Sequence, residues 1–144
     1  MPSDCQPFGD SWTLAEGTNR DVPRLIRIRE NLNPAAWELA LPHVLRITWT
    51  IRGIAERGLP SDVETKALHA FENELVPRVE RDGRAVLVAV ITELGKRHWY
   101  FYLRDVDAFS KELHNMPQKE ERYPIELTLD RNERWALFRE LIES

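Results

Sequence analysis

The chain has 144 residues, the size of one domain, and its 42% hydrophobic and 31% charged composition excludes the low-hydrophobicity, high-charge regime of disordered chains. With 20 Lys and Arg against 24 Asp and Glu the net charge is -4, so nothing draws the whole surface to phosphate backbones or anionic membranes, and a nucleic-acid site has to be a local patch. The single cysteine, Cys5, excludes an intramolecular disulfide or a thiol metal cluster, and the lack of any apolar run near the roughly 20 residues of a membrane span leads us to expect a cytoplasmic protein without a membrane partner.

Residues 1–10 mix Pro, Asp, Ser and Gly and read as a flexible tail ahead of a single domain over residues 11–144. Trp12 to Glu16 reads as a short strand, Gly17-Thr18-Asn19 supplies a turn, and Arg24 to Arg29 alternates with Ile26 and Ile28 on one face, which predicts a hairpin. Asn33 before Pro34 is a cap and first position for one helical turn carrying Trp37. From His43 to Arg52 the period is two, with Leu45, Ile47, Trp49 and Ile51 on one side and Arg46, Thr48, Thr50 and Arg52 on the other. After a loop holding Gly53 and Gly58-Leu59-Pro60, Ser61 and Glu64 form a capping box. Val63, Ala67, Phe71, Leu75 and Val79 follow at spacing four as the buried stripe of a long helix, which Pro77 is expected to kink or end early.

Ala85 to Ile91 is apolar on both faces and predicts a strand covered on both sides, joined by a tight connection at Thr92 to Lys96 to an alternating strand from Arg97 to Arg104. Trp99, Phe101 and Leu103 lie on one face of that strand, and His98, Tyr100, Tyr102 and Arg104 on the other. Asp105 caps a short helix burying Val106, Phe109 and Leu113. Pro117 to Arg122 is a charged loop, and Tyr123 to Leu129 alternates as a last strand. Asp130 and Glu133 form a second capping box for a C-terminal helix packing Trp135, Phe138, Leu141 and Ile142.

The order from His43 to Leu129 is strand, helix, strand, strand, helix, strand. We therefore expect an α+β fold with a ferredoxin-like split βαβ core, plus an added N-terminal β-hairpin and a C-terminal helix. Helices are expected on one face of the sheet. The other face then displays Arg46, Thr48, Thr50, His98, Tyr100, Tyr102 and Arg104, unless the hairpin or a partner covers it.

Chemistry is sparse. His43, His69, His98 and His114 lie apart, without helical i, i+4 spacing or a Cys pair, so no metal site is expected. No Gly-rich phosphate loop and no Gly-x-Ser-x-Gly elbow is present, so we assign no catalytic residue, no cofactor-binding residue and no cofactor. Glu72 and Glu74 point about 200° apart on a helix and make no acid/base dyad; a structural ion pair with a sheet arginine, for instance Arg27 or Arg97, or a plain solvated face is the expected use of either. An enzyme ranks last, reserved for a cleft that joins Glu72 to a histidine and arginines.

The span from Trp12 to about Leu141 resembles the bacterial domain of unknown function 695. The resemblance rests on Trp12, a strand ending at Trp49, Gly58-Leu59-Pro60, Phe71-Glu72-Asn73-Glu74, and above all Gly95-Lys96-Arg97-His98-Trp99-Tyr100-Phe101-Tyr102. Asp105, Phe109, Tyr123-Pro124-Ile125 and Asp130 with Trp135 complete it. That family is distantly similar to regulator of ribonuclease activity B, an inhibitor that binds ribonuclease E, which implies a protein-binding role by analogy. The expected function is thus a non-enzymatic regulatory or protein-interaction module with an unidentified protein partner. The alternative is weak binding of single-stranded RNA, with bases stacked on Tyr100 and Tyr102 and phosphates held by arginines.

Overall fold

A computed structural model describes residues 11–19, 22–52, 60–81, 83–116, 125–131 and 135–143. The expected tail with Cys5, the loop with Gly53 and Gly58-Leu59, the charged loop from Pro117, Tyr123-Pro124 and Glu133 lie outside them.

Alternating sequence and β-branched or aromatic content produce six strands: β1 (Trp12–Asn19), β2 (Val22–Arg29), β3 (His43–Thr50), β4 (Ala85–Glu93), β5 (Lys96–Leu103) and β6 (Ile125–Arg131). They form one antiparallel sheet in the order β1-β2-β4-β5-β3-β6. Strand β1 runs through Gly17-Thr18-Asn19, which pair with Arg24, Pro23 and Val22, so these three residues are strand and not the expected turn. The hairpin does not fold over the sheet. It extends it, because β2 pairs with β4 through Leu25 to Ile28.

Among the described residues the helices are α1 (Pro34–Trp37), α2 (Asp62–Glu80), α3 (Val106–His114) and α4 (Ala136–Glu143). Asn33 caps α1 by accepting the Ala35 N–H, Ser61 caps α2 through the Glu64 N–H, and Asp105 caps α3 through the Ala108 N–H. Pro77 sits inside α2, which continues to Glu80. The buried stripe of α2 is Leu68, Phe71, Leu75 and Val79, while Ala67 is exposed and Val63 is 79% exposed. A strict spacing of four turns a helix 40° per step, so Val63 lies about 160° from Val79 and leaves the core face.

Two cores result, one on each side of the sheet. The first joins Leu45, Ile47, Trp49, Leu87, Trp99 and Phe101 to α2 and α3. The second joins Val44, Val86, Val88, Ala89 and Tyr102 to Leu32, Leu41, Trp135 and Phe138. Strand β4 serves both, as its two-sided apolar sequence requires, with a register shift between Leu87 and Ala89. Helices on a single face were expected, but α4 packs on the second face, and its Arg139 is paired with Glu38 at the end of α1. The proposed cap at Asp130 is also corrected: Asp130 belongs to β6, and α4 begins after Trp135.

Candidate functional site

The second face is where the sequence places its candidate surface, and α4 divides that surface into a covered end and an open end. Tyr102 is completely buried. Its ring stacks on Trp135 at 4.4 Å between centroids and 16° between planes, and its hydroxyl accepts the Phe138 N–H at the start of α4. Burial pushes the phenol well above its ordinary range. Trp135 is itself fixed by its indole N–H donating to the Leu41 carbonyl at 2.8 Å and by a φ of 55°. Tyr102 is therefore a core residue that helps cap α4, and the expected pair of displayed tyrosines is corrected to one. Tyr100 is half-buried beside the second core.

Toward the other end of the strands the face is polar. Thr48 is buried and its hydroxyl lies 2.9 Å from His98 Nδ1. Burial first, then the nearby Arg46 charge, lowers the His98 pKa from its ordinary value, and Lys96 acts in the same direction while Glu93 opposes it. Arg46 is half-buried, and its Nε is buried without a hydrogen-bond partner. Thr50 and Arg104 are exposed.

This strip runs into β6. Register places Arg46 opposite Thr128 and Thr48 opposite Glu126. Among the described residues β6 pairs only with β3, so its outer side is an edge. Leu127 and Leu129, on the strand's opposite face, are 44% and 50% exposed. The strand has no Pro and no register break over seven residues, while Glu126, Asp130 and Arg131 put charge on it, so it lacks two of the common devices that blunt sheet edges and keeps a third. Sequence alternation put these leucines on one face of a last strand; what it could not show was how far that face is left uncovered.

On the first face the expected ion pair is present. Arg27 Nη2 donates to Glu72 Oε1, which also accepts the Trp99 indole N–H at 2.8 Å. Trp12 lies against the guanidinium groups of both Arg27 and Arg29, 5.0 and 4.7 Å from its ring. Beside this cluster a cavity of about 310 Å³ is lined by residues that include Arg27, His69 and Arg97. Glu74 instead pairs with Arg78 along the helix.

An antiparallel six-stranded sheet with helices on both sides defines an α+β domain. The chain belongs to the Family of unknown function (DUF695), which it matches over residues 10–142. No curated protein and no solved structure matches it. No described helix is long and apolar enough to cross a membrane.

Proposed function

We propose that the protein is a non-enzymatic regulatory or protein-interaction module that takes an extended segment of a partner protein along β6. The observation that carries this reading is the open β6 edge, straight and without proline, with two exposed leucines on one face and the polar strip of β3 and β5 on the other. A partner strand there gains main-chain hydrogen bonds, and its alternate side chains meet Leu127 and Leu129 on one side and Glu126 and Thr128 on the other. Edge β1 is less suited: Trp12 is engaged by two arginines, and Leu14 is its one largely exposed large apolar side chain. The RNA alternative has lost one stacking ring to the core. We also infer a ferredoxin-like core, a reading supported by the antiparallel order β4-β5-β3-β6 and by the packing of α2 and α3 on one face.

The test is affinity capture from nuclease-treated native lysate with the wild type and with Leu127→Lys/Leu129→Lys. Both leucines are half-exposed, so the double variant should fold. A protein retained by the wild type and lost by the variant is the expected result. Equal retention would remove β6 from the interface, and loss of all bound material on nuclease treatment would favour nucleic acid.

A further inference from the structure

We propose that the cavity between the hairpin and α2 binds a small ligand that carries a carboxylate on an apolar body. This site is separate from β6 and stands on different observations. The cavity, at about 310 Å³, falls at the lower end of the range for small-molecule sites. Its lining mixes two chemistries: Leu14, Leu25 and Val90 are apolar, while Arg27 and Arg97 are cationic.

Of these two cations only Arg27 is paired with a carboxylate among the described residues. Glu72 is ion-paired with Arg27 and is held there by the Trp99 indole. Arg97 donates its Nε to the Thr92 hydroxyl at 2.9 Å, a neutral acceptor, and among the described residues no carboxylate lies within ion-pair distance of it. Burial, the largest influence on Arg97, destabilises its charged form, and Arg27 adds to this while Glu72 relieves it. A half-buried guanidinium in that setting lacks a compensating anion, and a carboxylate is the group its planar fork of donors fits best. Glu16 also lines the cavity, but it is exposed to solvent, where its charge is screened. His69, exposed on α2, adds a further donor at the lining. The apolar wall selects the rest of the ligand, so a fully hydrated anion such as inorganic phosphate fits less well than an amphipathic organic acid.

The probes are benzoate and hexanoate, with benzamide as the uncharged control. Their binding is followed by nuclear magnetic resonance at the Trp99 indole N–H, which donates to Glu72, and at the Arg97 Nε–H. Saturable shifts at both positions are expected with benzoate or hexanoate, and at least about tenfold weaker binding of benzamide. Arg97→Gln should weaken the acids by about tenfold or more. Leu14→Asp, a change at an exposed lining residue that leaves the core untouched, should weaken them as well, which keeps the test decisive if Arg97→Gln fails to fold. No saturable shift with either acid, equal binding of benzamide, or acid binding unchanged in the folded variants would overturn the proposal.

Discussion

Tyr102 and His98 sit four residues apart on the same strand face and have opposite uses. Tyr102 joins the sheet to α4 through a stacked ring and one hydrogen bond. Tyr102→Phe should lower stability by about 1 kcal/mol, the net worth of such a bond. Tyr102→Ala should cost about 3–5 kcal/mol by opening a cavity against Trp135; urea denaturation reads both, and a near-neutral Ala variant would contradict the assignment of Tyr102 to the core. His98 remains half-exposed, and its depressed pKa has a definite sign. The unfolded state takes up a proton near about pH 6.5 and the folded state only at lower pH. Stability from this residue is therefore complete above that value, declines as pH falls toward the folded pKa, and levels off below it. Comparing wild type with His98→Gln should show a shallower acid-side loss in the variant. A His98 titration midpoint at or above the ordinary value would refute this, whatever Arg46, Glu93 and Lys96 contribute.

At the scale of elements, α2 is fastened to the sheet by a buried ion pair. Glu80, in its last turn, accepts Arg29 Nη1 at 2.8 Å and the Leu87 N–H at 2.7 Å, next to the register shift in β4. Removing the carboxylate strands both a buried guanidinium and a strand amide. Glu80→Ala should cost about 3–5 kcal/mol in denaturant unfolding, with much of the loss recovered when Arg29 is also replaced by Met. A loss near zero would mean that the pair is dispensable. Period two and capping chemistry made most elements legible in the sequence, including α1 at Asn33-Pro34 and the two-sided β4. One feature was not. The stripe on α2 was assigned by a spacing of four, which drifts around the helix, so Leu68 was missed and Val63 was placed inward. The β4–β5 turn at Leu94-Gly95, with φ of 51° and 74°, was recognised by Gly95, although Leu94 is an uncommon residue for a left-handed position.

For the whole molecule, the decisive unknown in the sequence was which face each helix covers, since amphipathic strands and helices specify that burial occurs but not which partner provides it. Trp135, buried and left-handed at the entry to α4, turns that helix onto the face expected to be open. The Glu72 cluster was legible as an ion pair because helix acids facing strand arginines pair in this way; the cavity beside it was not, because it depends on the hairpin lying in the plane of the sheet. With both faces partly packed, β6 with the adjoining Arg46 and Thr50 is the exposed ground that the proposed interface uses. The most direct measurement is backbone hydrogen exchange, in the absence and presence of the protein captured by the wild type. The account predicts slowed exchange concentrated in Glu126 to Leu129, as unpaired edge amides acquire acceptors. Protection confined to α4 or β1, with β6 unchanged, would contradict it.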